Sequence, residues 1–308
     1  MPYFKLIESI FSHSLEVTLH MKKKYNYSKL MILPVTILYG LFFVYPLCKG
    51  IGMSFTNWNG ISAPQFIGFR NFIDFFHDER ALHDIKTTVL FALGSAPLLN
   101  IVGLIYALLM NDSSIKGRTF IRACIYLPAV ISPLIMGYIW YLLLQPGRGV
   151  FDNLAHFLGH PEWFGNWQAT YSSCMIVLIL VNVWQYAGMT MIIYLAGLQN
   201  ISKEYFEAAK IDGATSWQCF WKVTLPLLMP AIRINVVTNI IGSLGVFDIV
   251  MSLTGGGPGY LTETLSIYIM RMCYGAKTGY STAVALIMFI IVVIPVVISL
   301  HFTKTQEA

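Results

Sequence analysis

The sequence predicts an all-α integral membrane protein with six transmembrane helices and both termini in the cytoplasm. Three observations carry this. Only 11% of the 308 residues are Asp, Glu, Lys or Arg, against about 25% in soluble domains, too few to cover a water-facing surface. Apolar residues make up 56% of the chain and mean hydropathy is +0.64, which argues against a soluble enzyme, while 20 Phe, 17 Tyr and 7 Trp argue against a disordered chain. The charges that exist are gathered between long charge-free runs, and a bilayer-spanning helix needs about 20 such residues.

Taken in order, residues 1–28 form an N-terminal cytoplasmic segment. Glu8, Ser9, Ser12, His13 and Glu16 interrupt any apolar core and no small-residue cleavage site follows, so this is no signal peptide. It reads as an amphipathic surface segment, or as sequence ahead of a start at Met21, where Met-Lys-Lys-Lys precedes the first span. Residues 29–302 form the transmembrane domain, with spans expected at 30–52, 87–110, 120–144, 173–198, 225–254 and 279–302, and residues 303–308 are a C-terminal tail. The fifth span contains Arg233 near its start, which can snorkel to one interface, and Asp248 close to the other. Strands are excluded because lipid leaves their backbone groups unpaired outside a closed barrel, and no ten-residue alternation is present.

Placing both termini inside puts twelve Lys and Arg on the cytoplasmic side (Lys5, Lys22, Lys23, Lys24, Lys29, Lys116, Arg118, Arg122, Lys203, Lys210, Lys222, Lys304). Seven fall outside (Lys49, Arg70, Arg80, Lys86, Arg148, Arg271, Lys277), the bias expected of this orientation. The net charge of +5 is thus topological, and its scatter in short clusters argues against nucleic acid. Pro34, Pro46, Pro97, Pro128, Pro133, Pro226, Pro230 and Pro295 fall in or at the ends of spans, and helices kinked that often line cavities or move. The five cysteines are odd in number, widely spaced and mostly in apolar runs, so they indicate neither a disulfide scaffold nor a metal site. No internal repeat is visible, which weighs against a secondary transporter.

The loop 200–224 stands apart. Ser202 is a natural N-cap with Glu204 in the first turn, Gly213 supplies a left-handed helix stop, and Thr215-Ser216-Trp217-Gln218 matches a capping box opening a second short helix. Ala208 and Ala209 let another surface approach the backbone, with Glu207 and Asp212 offering carboxylates beside them. From the residues alone, two accounts stand: a docking elbow, or an amphipathic helix lying on lipid. The spacing adds a resemblance. Glu207-Ala208-Ala209, three residues, Gly213, nine residues, Val223, one residue, Leu225-Pro226 resembles the EAA loop of ABC importer permeases, with Val where that family often has Ile. Beyond it, Leu253-Thr254-Gly255-Gly256-Gly257-Pro258 and Thr262-Glu263-Thr264 are similar to the MalF-like permeases of carbohydrate importers.

The resemblance implies the type I importer permease fold and a passive pore subunit in a bacterial cytoplasmic membrane. It implies a second, MalG-like permease, two cytosolic ATPase subunits and an extracytoplasmic sugar-binding protein as partners within the lipid bilayer. It makes Glu207, Ala208, Ala209, Asp212, Gly213, Ala214 and Phe220 the residues that couple the pore to the ATPase. The chain binds no cofactor on this reading, ATP and Mg being used by the partner. In agreement, there is no Gly-x-x-x-x-Gly-Lys-Ser/Thr and no Gly-Lys dipeptide, and the glycine run 255–259 has no Lys after it.

Polar side chains in lipid-embedded helices tend to face a cavity or another helix. The fourth span carries Asn182, Trp184, Gln185 and Tyr186, and the fifth Asn235, Asn239, Ser243 and Asp248. Asn235, Asn239 and Ser243 recur every four residues and share one helix face. Amides and hydroxyls can replace a sugar's hydration and aromatic faces can stack on its C–H surfaces, while interhelical glue is the plainer account of the same residues. The family resemblance places sugar contacts at or beside Asn182, Gln185, Tyr186, Asn239 and Ser243. Asp248 is a proton or cation site or, being near the outer end, a water-exposed carboxylate at the mouth. His156 and His160 have metal-compatible spacing without a third ligand, and Trp58, Trp140, Tyr141, Trp163 and Trp167 fit an interface belt. The expected function is half of an oligosaccharide translocation path coupled to a separate ATPase, with no catalytic residue and no metal site of its own. The alternative is a stand-alone secondary transporter or channel. A membrane-embedded enzyme ranks below both, since no His, Asp, Ser or Cys constellation falls within the spans.

Overall fold

The computed structural model describes residues 31–160 and 166–302. The N-terminal segment 1–28 with Met21, the tail 303–308 with Lys304, and Trp163 lie outside the described residues. Among the described residues the chain is helical, with one isolated bridge between Thr56 and Phe66 in place of any sheet. Four helices are long and apolar enough to cross a membrane, and two bent pairs bring the number of spans to six if each pair is one crossing.

The first, α1 (Met31–Met53), contains a widened π-helical turn over Gly40–Val44 and buries none of its residues against the rest of the chain. A loop then leads to α2 (Arg70–His77), a short amphipathic helix that the hydropathy pattern does not announce. Asn71 locks it in place, its buried amide donating to the carbonyls of Ser54 at 2.7 Å and Thr56 at 2.9 Å. Asp78 ends α2 and caps α3 (Glu79–Asn111), its carboxylate accepting from the backbone N–H groups of Arg80 and Ala81 at 3.0 and 3.2 Å. α3 therefore starts eight residues before the apolar stretch expected at 87, because the cap and not the onset of hydrophobicity sets where a helix begins.

The third span is broken. α4 (Arg118–Val130) and α5 (Pro133–Leu143) meet at 97°, since a residue before proline is driven out of the helical region and Ile131 and Ser132 are extended. A short α6 (Val150–Phe157) follows. α7 (Tyr171–Gln199), capped by Thr170 onto Ser173 N–H, is the central helix. It packs along α3 through two successive layers, Phe91 against Leu178 and Val181, then Ala107 and Met110 against Met191, Leu195 and Leu198, so the two helices run in the same direction. α4 crosses α7 at Gly188, where any Cβ would collide with the Ile125 carbonyl.

α8 (Lys203–Ile211) and α9 (Ser216–Leu227) form the loop between the fourth and fifth spans. α9 bends by 69° at Leu228 into α10 (Met229–Leu244), and Leu228, fully buried with Ala231 among Met191, Tyr194 and Leu198, anchors that bend. The fifth span is not the continuous helix to 254 expected from hydropathy. Gly245, Val246 and Phe247 leave the helix, and a separate α11 (Asp248–Leu253) packs on α5. Hydropathy does not see this break, because Leu244 before it and Val246 and Phe247 within it are apolar, and the single charge of Asp248 reads as the approach to the end of a span. α12 (Leu265–Tyr274) and α13 (Thr278–Phe302) complete the fold, α13 burying only Gly279, Ser281, Ala283 and Val284 near its start.

The end of the bundle bearing the glycine-rich loop is tied by polar contacts. Glu263, fully buried, accepts from Arg80 through both oxygens at 2.7 and 3.0 Å and pairs with Arg271 at 2.8 Å. Arg271 also donates to the Gly255 carbonyl at 2.7 Å, and Arg80 stacks on the Tyr260 ring at 3.5 Å from its centroid.

Candidate functional site

Two places in this fold hold the residues singled out from the sequence, and α9–α10 joins them. The first is the elbow 200–224. Ser202 accepts from Glu204 N–H at 3.4 Å and opens α8. α8 closes in a Schellman motif, with Gly213 N–H donating to the Lys210 carbonyl at 3.1 Å and Ala214 N–H to the Ala209 carbonyl at 2.9 Å. This geometry needs a left-handed residue at the stop, and Gly213 has φ of 72°. Thr215 and Gln218 then make the reciprocal capping box that starts α9.

Nothing in α8 is buried. Glu207, Ala208, Asp212 and Gly213 are exposed, while Ala209, Ala214 and Phe220 are half-buried. Tyr205, Ile211 and Trp217 stand in the open, Ile211 at 86% exposure. Trp217, Phe220 and Trp221 contact one another in tilted and edge-to-face arrangements with centroid separations of 5.4 to 6.4 Å. The residues picked out from the sequence thus lie on one protruding helix–turn–helix whose second helix continues into the fifth span.

The second place is a cavity of about 350 Å³ between α7, α10 and the α10–α11 break, in the range of small-molecule sites. Of the residues expected on the path, Asn182, Tyr186, Asn239, Ser243 and Asp248 line it. The two others sit elsewhere. Gln185 is fully buried and donates to the Ile131 carbonyl at 3.3 Å, serving the backbone exposed by the α4–α5 break, and Trp184 packs edge-on against Trp140 at 5.3 Å. Asn235, on the same face as Asn239 and Ser243, also lines the cavity, joined by Thr190, Thr238 and Phe247, which sequence reasoning did not single out. Thr190 carries no signal, being one hydroxyl in an apolar helix. Its neighbour across the cavity gives it meaning: Thr190 Oγ1 and the Asn239 side-chain amide bond at 3.3 to 3.4 Å.

The polar inventory is partly satisfied within the chain. Asn182 donates to Ser95 Oγ at 2.6 Å and Asn235 to the Thr190 carbonyl at 3.1 Å. Ser243 Oγ and Asn235 Oδ1 are buried without a hydrogen-bond partner among the described residues. His156 pairs with Asp152 at 3.7 Å on α6, and no group of three metal-ligating side chains occurs among the described residues.

Residues 100–305 match the family of binding-protein-dependent transport system inner membrane components. The chain belongs to that family. The permease protein AmyD of Thermoanaerobacterium thermosulfurigenes, a probable starch degradation products transport system component, is 35% identical over 90% of this chain and 94% of its own length. MsmF of Streptococcus mutans, a multiple sugar-binding transport system permease protein, is 34% identical over the same shares, 90% and 94%. In a crystal structure of a bacterial alginate ABC transporter in complex with alginate pentasaccharide-bound periplasmic protein, one chain is 27% identical and superimposes with a TM-score of 0.79 over 91% of this chain and 95% of that one.

As a member of this inner membrane family the chain is a multi-pass permease of the cytoplasmic membrane, and ATP hydrolysis belongs to a separate subunit. The matched stretch contains the whole elbow, α7 and α10–α11, and so every residue named on either site from the sequence.

Proposed function

We propose that this chain forms one half of the translocation path of an ATP-driven importer of a sugar of oligosaccharide size, and couples that path to a cytosolic ATPase through the elbow 200–224. A second, MalG-like permease supplies the other half, two ATPase subunits bind the elbows, and an extracytoplasmic binding protein delivers the sugar. Both termini are cytoplasmic, as the distribution of Lys and Arg favours. ATP and Mg act in the partner ATPase and the chain binds no cofactor.

One observation carries this reading: the exposed elbow runs through α9 and, across the 69° bend at the buried Leu228, directly into α10, whose Asn235, Asn239 and Ser243 line the cavity. Docking at one end moves the wall of the cavity at the other. Glu207, Ala208, Ala209, Asp212, Gly213, Ala214 and Phe220 make the ATPase contact, with exposed Tyr205, Ile211 and Trp217 adding apolar area. Asn182, Tyr186, Asn239, Ser243 and Asp248 face the sugar, whose hydroxyls suit amides and hydroxyls and whose ring faces suit Tyr186. The relatives from T. thermosulfurigenes and S. mutans, by their names a starch-product and a multiple-sugar system, support the substrate class.

The test is purification in mild detergent from native membranes, mass spectrometry of what accompanies the chain, and ATPase assay with a panel of oligosaccharides. Recovery with a second permease and an ATPase whose hydrolysis rises with saccharide and binding protein is the expected result. A solitary chain active in proton- or ion-driven uptake overturns it in favour of a secondary transporter.

A further inference from the structure

The cavity has a charge that its polar lining conceals. Asp248 is the one Asp or Glu among the residues that line it, and no Lys, Arg or His lines it. The Asp248 side chain has no hydrogen bond or ion pair among the described residues; the bond from Ser252 at 2.8 Å ends on its backbone carbonyl. The carboxylate is half-buried where α10 breaks and α11 begins, with Leu99, Met189, Ile193 and Ile249 among the apolar walls. The rest of the polar lining, from Asn182, Tyr186, Thr190, Asn235, Thr238, Asn239 and Ser243, is neutral.

An unpaired carboxylate between apolar walls acts over a longer range than one in open water. It repels a uronate or phosphate on a passing ligand and accepts hydrogen bonds from hydroxyl or ammonium groups. We propose that Asp248 is a charge filter, making this half of the path pass neutral and amino saccharides and reject acidic ones. The assignment rests on the sugar reading above and narrows its substrate class. The same fold serves elsewhere in import of the acidic polysaccharide alginate, so the fold itself sets no such limit and the filter must come from side chains.

The experiment uses the complete importer, permease pair, ATPases and binding protein, in proteoliposomes. The probes are the neutral gluco- or galacto-oligosaccharide it imports fastest and the analogue of that sugar in which a C6 hydroxymethyl is oxidised to a carboxylate. The ratio of acidic to neutral uptake is compared between wild type, Asp248→Asn and Asp248→Lys. The acidic probe is one that the binding protein binds measurably, so selection at that step is common to all three and cancels in the comparison. The ratio is expected to rise about tenfold on neutralising the carboxylate, the scale of one charge pair in a partly wet cavity, and further in Asp248→Lys. If Asp248→Lys does not assemble, the near-isosteric Asn variant decides alone. A ratio constant within twofold, with neutral sugar still imported, overturns the filter and leaves the sugar reading standing. Import of no saccharide by the wild type overturns both.

Discussion

Ser243 and Asn182 are both buried polar residues in membrane helices, and their surroundings separate two roles that composition alone leaves joined. Asn182 is 5% exposed and its amide donates to Ser95 Oγ at 2.6 Å, whereas Ser243 is 2% exposed and its hydroxyl has no partner among the described residues. A buried hydroxyl without a partner costs about 1–3 kcal/mol, a cost that a ligand hydroxyl removes on arrival. Ser243→Ala is therefore expected to leave thermal stability in detergent equal or slightly higher while raising the KM for sugar uptake about fivefold, within the worth of one hydrogen bond. Asn182→Ala, which removes the bond to Ser95 together with a cavity-lining amide, is expected to lower the melting temperature as well as weaken uptake. If Ser243→Ala lowers stability and spares uptake, Ser243 is glue. The sequence made half of this legible: the four-residue recurrence of Asn235, Asn239 and Ser243 places them on one face, and that face lines the cavity. It could not separate Gln185 from Tyr186, adjacent in sequence and about 100° apart on a helix, because which of them meets the cavity depends on where the α4–α5 break puts the Ile131 carbonyl.

Among the elements, the elbow was the most legible because its signals are local. Ser202, Gly213 and the Thr215–Gln218 box act within four residues of themselves, so the chain alone specifies the stop and restart of the helix. The bends depend on proline and were partly legible. Pro133 announces the 97° corner by the restriction it places on Ser132, yet the end of α10 at Leu244 has no proline near it and follows from the packing of α11 on α5. The elbow yields a sharp prediction. Gly213 holds φ of 72° and its N–H bonds the Lys210 carbonyl; proline fixes φ near about −65° and has no N–H, so it must undo the Schellman stop. Gly213→Pro is expected to abolish saccharide-stimulated ATP hydrolysis in the assembled importer while the permease still reaches the membrane in normal amount. Asn tolerates the left-handed region, and Gly213→Asn is expected to retain most of the stimulation. Equal loss in both variants would mean that the glycine is needed for contact area and not for its backbone angle, and normal stimulation in the proline variant would remove the elbow from the coupling route.

At the scale of the whole molecule, its polar clamp and its bare flanks divide the work of holding it together. α1 buries nothing within the chain and α13 buries only its first turns, so lipid or a second subunit must cover their apolar sides, and those helices add little to the chain's own cohesion. What joins the peripheral elements at the glycine-rich end is the cluster on Glu263. It ties α3 through Arg80, the 255–263 loop through Gly255 and Tyr260, and α12 through Arg271. Arg80 and Glu263 are 183 residues apart, and no local pattern pairs two arginines with one glutamate at that distance, which is why the sequence showed Arg80 and Arg271 only as loop charges. The Glu263 carboxylate is fully buried, and so is Asp84, whose carboxyl interacts with it, while the arginines keep 27% and 28% of their side-chain exposure, so two guanidinium groups serve two buried carboxyl groups. Removing one partner of a buried ion pair costs about 3–5 kcal/mol, and water reaching the two guanidinium groups brings Glu263→Gln toward the low end of that range. The expected result is a clear fall in the midpoint of thermal unfolding, followed by tryptophan fluorescence in detergent. Arg80→Gln, which leaves Arg271 on the carboxylate, is expected to shift the midpoint less. The double variant Arg80→Gln with Arg271→Gln should be the least stable, because it leaves Glu263 and Asp84 buried together with no guanidinium beside them. A Glu263→Gln midpoint equal to wild type would show that the bundle end is held by the apolar contacts of Phe75, Leu265 and Tyr268 beneath the clamp, and that the three charges are dispensable to the fold.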